Sequence, residues 1–233
     1  MVEFKMEVEY IKYDIEMSSI QRTIGKNFFK AYSRQINIPD GQGISNLYHD
    51  IFSNFYDFLT PFITPGYHKV IELLVDENVP VGSRVLDLCS GTGNVAFAAA
   101  KRAKEVFGLD ASYGMLSKAR KKAEKEGIRN IKFIYGDIRK RLDFADESFD
   151  VVTSGLSVPA KVPLFCDHNE DMVKETYRVL KNDSKLAIFT GWEEVSDIYF
   201  SRKEYGDLFS EAGYKHMEMK NIKNIYVIVS VRK

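Results

Sequence analysis

The segment Arg84-Val85-Leu86-Asp87-Leu88-Cys89-Ser90-Gly91-Thr92-Gly93-Asn94 constrains this 233-residue chain more than any other. Val85–Leu88 has the continuous apolar character of a buried strand. Gly91 and Gly93 supply a turn whose backbone takes positive φ and admits close approach by a ligand. The small residues that follow predict a helix whose N-terminal amides face that ligand. A Gly-x-Gly turn alone is shared by dinucleotide and phosphate binders, so the surrounding residues must decide what it holds.

The chain around this segment alternates. Short apolar or β-branched runs recur at 84–88, 105–109, 131–135, 149–154, 185–190, 214–219 and 225–231. Helical stretches separate most of them: in Tyr113–Lys125, Leu116, Ala119 and Ala123 share a face, and in 168–181, Val173, Tyr177 and Leu180 do. Strands alternating with helices predict a doubly wound α/β fold with a mostly parallel, seven-stranded sheet. The last two runs are separated by Lys220–Asn224 alone, too short for a crossover helix, so they are expected to form an antiparallel hairpin at the sheet edge. Upstream, residues 2–10 alternate with period two, as in a half-buried strand. A helix capped by Ser18 or Ser19, the aromatic stretch 46–59 and a helix over 66–78 complete a helical N-terminal cap. The expected division is a cap or substrate lid over 1–65 and a ligand-binding domain over 66–233.

Three acids fall at or near the carboxyl ends of three successive predicted strands, where such sheets bind ligands. Asp87 lies four residues before Gly91; a carboxylate there repels a pyrophosphate and suits an ammonium. Asp110 follows the glycine turn by about 20 positions, the spacing at which an acid hydrogen-bonds ribose hydroxyls. Asp137 ends the third strand and can accept from an exocyclic adenine amine or cap a turn. The third glycine of the dinucleotide fingerprint is missing, with Phe97 in that region.

With these residues in place the sequence resembles the class I S-adenosylmethionine-dependent methyltransferases over roughly 66–231. DLCSGTGN is similar to that family's first motif, GLDASYGMLSKAR (108–120) to its ribose-binding segment, and YGDIRKRLDFADESFDVVTSG (135–155) to its adenine-binding acid and the stretch beyond. KETYRVLKNDSKLAIF (174–189) and GDLFSEAGY (206–214) resemble two later elements, with Asn182-Asp183-Ser184 in place of the usual Pro-Gly-Gly. FSNFYDFLTP (52–61) resembles the Tyr-Asp element of the ubiquinone/menaquinone C-methyltransferase-like small-molecule group.

The resemblance implies S-adenosylmethionine as cofactor and S-adenosylhomocysteine as product. It sets Asp87, Gly91 and Gly93 against the methionine moiety, together with Cys89, Ser90 and Thr92 of the same turn. It implies Asp110 on the ribose, Ala111 and Met115 packed on adenine, and Asp137 with Ile138 at the base edge. Ser154, at the end of the fourth core strand, and Tyr56, as a lid residue, complete the cofactor set.

Catalytic assignments are open. His168, Tyr56 and Asp167 are the bases to test first, although Asp167 and His168 also suit capping and first-turn charge at a helix start. Cys89 reads as a small packing residue, and Trp192 either walls the pocket or fills core. Cys89 and Cys166 are too few for a disulfide framework or a thiolate zinc site, so no metal is expected. Lys plus Arg and Asp plus Glu number 33 each, which argues against a dedicated nucleic-acid binder. No apolar run approaches the ~18 residues of a membrane span, and the acidic-apolar N-terminus is unlike a signal peptide. The expectation is a cytoplasmic monomer or homodimer that methylates a small molecule at an O, N or C atom. An RNA or protein methyltransferase, and a non-catalytic S-adenosylmethionine-binding partner subunit, are the alternatives; a nicotinamide dehydrogenase is disfavoured by Asp87.

Overall fold

The computed structural model describes residues 4–11, 23, 57–58, 60, 64, 66–157, 159–161, 168–191, 199–222 and 226–233. In chain order the described elements are β1 (Lys5–Ile11), α1 (Tyr67–Asn78), β2 (Arg84–Leu88), α2 (Asn94–Ala100), β3 (Glu105–Asp110), α3 (Tyr113–Lys125), β4 (Ile131–Tyr135), β5 (Phe149–Gly155), α4 (Asn169–Val179), β6 (Leu180–Gly191), α5 (Arg202–Glu211), β7 (His216–Ile222) and β8 (Tyr226–Arg232).

The strands form one sheet in the order β1-β7-β8-β6-β5-β2-β3-β4. Every neighbouring pair is parallel except those of β8, which runs antiparallel to both β6 and β7. The chain winds outward from β2 to β3 and β4, then returns to place β5 on the other side of β2. That reversal makes the carboxyl end of β2 a topological switch point, the position at which open sheets of this kind bind ligands. The glycine turn begins at that end.

Apolar periodicity explains the two layers. Alternate strand residues face opposite sides of the sheet. Val85, Val106 and Val151 therefore pack with α1, α2 and α3, whereas Leu86, Leu88, Phe107 and Val152 pack with α4 and α5. On α3 the predicted face is the buried one: Leu116, Ala119 and Ala123 turn inward. Helix α4 ends at Val179 and Leu180 already belongs to β6. The pairing of β5 with β6 jumps from Phe149–Leu180 to Val151–Lys185, so Asn182-Asp183-Ser184 bulges out. Asp183 adopts φ 60° there, a left-handed conformation that short polar side chains tolerate, which is how the turn forms without glycine.

The sheet has eight strands, one more than expected. The period-two N-terminal segment pairs in parallel with β7 and becomes the edge, so the β7–β8 hairpin does not terminate the sheet. Pairing relieves β7 of an open edge, and Phe4 and Met6 pack against the core on the α5 side. The rest of the expected cap, apart from Thr23, Asp57, Phe58, Thr60 and Thr64, lies outside the described residues. Among the described residues no helix is long and apolar enough to cross a membrane.

Candidate active site

The turn after β2 is built by backbone geometry that its sequence permits. Cys89, Gly91 and Gly93 take φ of 51°, 54° and 88°. The Gly93 N–H donates to the Ser90 carbonyl at 2.8 Å, and the Ser90 N–H to the Leu109 carbonyl at 3.0 Å. The two glycines serve different ends. A side chain at Gly93 would meet the Phe133 ring at 2.8 Å and the Phe97 ring at 2.9 Å, whereas Gly91 has nothing within 4 Å of where a Cβ would stand. Gly93 is required by packing, and Gly91 keeps an open approach to the backbone.

Asp110 ties this turn to the next helix. One oxygen of its half-buried carboxylate accepts the Gly91 N–H at 2.8 Å, and the other accepts the Ser112 N–H at 2.8 Å. Ser112 in turn caps α3 by accepting the Met115 N–H at 3.2 Å. Ala111 is half-buried beside it, and Met115 is buried.

Asp87 is 1% exposed and sits between Gly108 of β3 and Thr153 of β5, its register partners. Thr153 donates its hydroxyl to Asp87 Oδ1 at 2.8 Å, while Asp87 Oδ2 is buried without a hydrogen-bond partner. Burial pushes the carboxyl up to about 7; the Thr153 hydroxyl and the Ala96 backbone N–H at the start of α2 oppose that, and the Asp110 charge reinforces it. An unpartnered buried carboxylate oxygen is costly unless a cation or donor arrives to complete it.

Ser154 Oγ lies 3.2 Å from the Leu88 carbonyl, to which it donates, and 2.8 Å from Ser157 Oγ. The Cys89 thiol is pushed far up, first by burial and then by the charges of Asp110, Asp87 and Asp137. Burial, with the acids adding to it, keeps Cys89 a neutral thiol.

Asp137 does cap a turn, accepting the Arg139 N–H at 3.1 Å, and it also receives the Arg139 guanidinium through Nε at 2.9 Å and Nη2 at 2.8 Å. Ile138 is 5% exposed and belongs to the same core layer as Leu88 and Leu109. His168 stands at the N-cap position of α4, but its side chain makes no capping bond; Glu170 and Asp171 supply the first-turn charge. The buried Asn169 pins the irregular segment that follows β5, donating to the Ala160 carbonyl at 2.9 Å and accepting the Ala160 N–H at 3.2 Å. Tyr56, Asp167, Cys166 and Trp192 lie outside the described residues. Among the described residues no cluster of His, Cys, Asp and Glu is arranged to hold a metal ion.

One residue the sequence reading missed is Asp57. Its Oδ1 accepts the buried Thr92 hydroxyl at 2.5 Å and the Asn94 amide at 3.3 Å, and its Oδ2 accepts from Lys122 Nζ at 3.1 Å. Lys122 also donates to Asn94 Oδ1 at 3.0 Å and lies over the Phe97 ring. A carboxylate therefore already occupies the start of α2, where a dinucleotide fold would seat its pyrophosphate. The available signal was the acid of the Tyr-Asp pair itself; its partners, 35 and 65 residues away, carry no sequence mark.

The carboxyl end of β2 at the switch point, a glycine turn with an open backbone face, and nearby acids, one with a buried carboxylate oxygen lacking a hydrogen bond, bring together groups that could hold a positively charged ligand. A methyltransferase domain model matches residues 85–183. A demethylmenaquinone methyltransferase of Geobacillus kaustophilus is 39% identical over 183 residues, covering 61% of this chain and 75% of that protein. A ubiquinone/menaquinone biosynthesis C-methyltransferase of Dinoroseobacter shibae is 31% identical over 172 residues, 66% of each chain. The chain spans between about half and two thirds of the length of the first curated relatives it matches, 53% to 66%. Among solved structures, a SAM-dependent methyltransferase from Aquifex aeolicus superposes with a TM-score of 0.61 at 20% identity, covering 72% of this chain and 93% of that one, and so shares the fold. The chain belongs to the class I S-adenosylmethionine-dependent methyltransferases.

Proposed function

We propose that this protein binds S-adenosylmethionine at the turn 89–93 and transfers its methyl group to a small-molecule acceptor. The observation that carries the reading is the buried, unpartnered Oδ2 of Asp87 beneath a turn ringed by Asp110 and Asp137. That arrangement fits a ligand with an ammonium, a ribose and an amino-purine, and it opposes a pyrophosphate. Asp87 would complete its carboxylate on the amino group of the methionine moiety, the Gly91 backbone would lie against that moiety, and Asp110 would hold the ribose hydroxyls. Ala111 and Met115 would pack on the base, with Asp137 and Ile138 at its edge, and Cys89, Ser90, Thr92 and Ser154 would wall the turn. Tyr56 is assigned as a lid residue; the anchoring of its neighbour Asp57 on Thr92 supports that assignment.

The bound cofactor supplies an electrophilic methyl group, so the protein's contribution is alignment and exclusion of water. Holding two reactants in line can contribute roughly 7–11 kcal/mol. An amine acceptor needs only to arrive unprotonated, while a carbon or oxygen acceptor calls for a base with a tuned pKa; His168, Asp167 and Tyr56 are proposed for that role. The curated relatives carry quinone-pathway names, which makes a phenolic or quinol ring the first acceptor class to try. We place the protein in the cytoplasm, as a monomer or homodimer.

The test is methyl transfer from radiolabelled S-adenosylmethionine to a panel of reduced quinones, catechols and small amines, with bulk RNA and protein alongside. Transfer to a small molecule supports the reading. Transfer confined to RNA or protein refutes the small-molecule acceptor, and cofactor binding without any transfer points to a partner subunit.

A further inference from the structure

Arg139 is a cation with a single described occupation. Its side chain, 16% exposed, places Nε 2.9 Å from Asp137 Oδ1 and Nη2 2.8 Å from Asp137 Oδ2, and its own N–H reaches Oδ1 at 3.1 Å. Among the described residues the guanidinium joins no second element. Arg178 is the contrast: it reaches the Leu142 and Phe144 carbonyls, Asp146 and Glu175, and so fastens the β4–β5 connection to α4. Turn capping alone requires one backbone N–H on the carboxylate. The planar fork of Arg139 adds two parallel hydrogen bonds that fix the plane of a carboxylate whose side chain is 10% exposed. The carboxylate so fixed belongs to the acid proposed to meet the base of the cofactor.

We propose that Arg139 is the positioning residue for base selection: by locking the Asp137 carboxylate plane it aims that carboxylate at the exocyclic amine of adenine, and so makes the site prefer an amino-purine over a 6-oxo-purine. The inference rests on the reading of this site as one for S-adenosylmethionine. Arg139 acts through Asp137, the one partner that its guanidinium has among the described residues.

The experiment is calorimetric titration of the full chain with S-adenosylhomocysteine and with S-inosylhomocysteine, which presents a 6-oxo group and an N1 proton where adenine has its amine and N1 lone pair. Wild type, Arg139→Ala, Arg139→Lys and Asp137→Asn are compared after circular dichroism shows that each is folded. Wild type is expected to prefer the adenosyl compound by about tenfold or more, as a site built to pair a polar group rejects the analogue lacking it. In Arg139→Ala that ratio should fall below about threefold, and Arg139→Lys should not restore it, because lysine keeps the charge and loses the fork. If Arg139→Ala does not fold, Arg139→Lys carries the test. Variants that keep the wild-type ratio overturn the role of Arg139 while leaving the cofactor site standing, as does a wild type that binds both compounds equally. A folded wild type that binds neither compound overturns the underlying reading instead.

Discussion

The Asp110 carboxylate accepts the Gly91 N–H at 2.8 Å across 19 residues of sequence. The acid that ends β3 therefore holds the glycine turn that ends β2, and through Ser112 it also sets the start of α3. The acid proposed to bind ribose is at the same time the clasp of the turn beside it. Asp110→Ala removes the acceptor for two backbone amides, and leaving a buried donor unsatisfied costs roughly 1–3 kcal/mol. Urea unfolding of the ligand-free protein should show a loss of that size without a change in m-value.

Asp87 makes stability depend on pH in a particular direction. Its folded pKa, about 7, lies above the ordinary 3.8, so the native state holds a proton that the unfolded chain releases. Stability from this group is full below about pH 4, falls as pH rises from there toward 7, and is flat above. Asp87→Asn removes the slope and should raise the midpoint of thermal unfolding at pH 8. The same substitution should weaken S-adenosylmethionine binding, which in wild type strengthens between pH 6 and 7.5 as the carboxylate ionises. A melt series from pH 4.5 to 8.5 on both proteins reads the first effect, and titrations at the two pH values read the second.

Gly91 and Gly93 should fail differently. Gly93→Ala forces a methyl group into the Phe97 and Phe133 rings at a φ of 88°, so both crowding and backbone strain act, costing on the order of 2–4 kcal/mol. Gly91→Ala meets open space, and its φ of 54° costs only about 1–2 kcal/mol. Gly91→Ala is therefore expected to fold and to lose cofactor affinity, whereas Gly93→Ala loses stability first. Thermal melts paired with titration of S-adenosylhomocysteine separate the two.

At Asp57 the two simplest substitutions should diverge. Asp57→Asn keeps an acceptor for the Thr92 hydroxyl and gives up the charge pair with Lys122, whose partners are 28% and 41% exposed, so about 1 kcal/mol or less is at stake. Asp57→Ala also leaves the buried Thr92 hydroxyl without its acceptor, at a cost of roughly 1–3 kcal/mol. Denaturant unfolding of both variants at low and high salt should show the asparagine effect shrinking with salt and the alanine effect persisting.

Most of the fold was legible because its signals are local. The strand runs, the buried face of α3 and the short link between β7 and β8 follow from the spacing of apolar residues. Asp87, Asp110 and Asp137 were legible because each stands at a fixed offset from a strand end, and all three act electrostatically on the Cys89 thiol. What sequence could not show was pairing at a distance. Nothing in the alternation of residues 2–10 says that β1 joins β7 rather than standing apart, and nothing near Asp57 names Thr92 or Lys122. The Arg139 fork was hidden for another reason. Two residues from Asp137, it reads as ordinary surface charge until the geometry shows both ends of the guanidinium on one carboxylate.

What the turn 89–93 binds is decided by calorimetric titration of wild type and Asp110→Ala with S-adenosylmethionine, S-adenosylhomocysteine and NADH. The predicted result is micromolar binding of both sulfur nucleosides by wild type, loss of that binding in a folded Asp110→Ala, and no heat from NADH. Absence of binding for both sulfur nucleosides with a folded wild-type protein, or binding of NADH in their place, would contradict it.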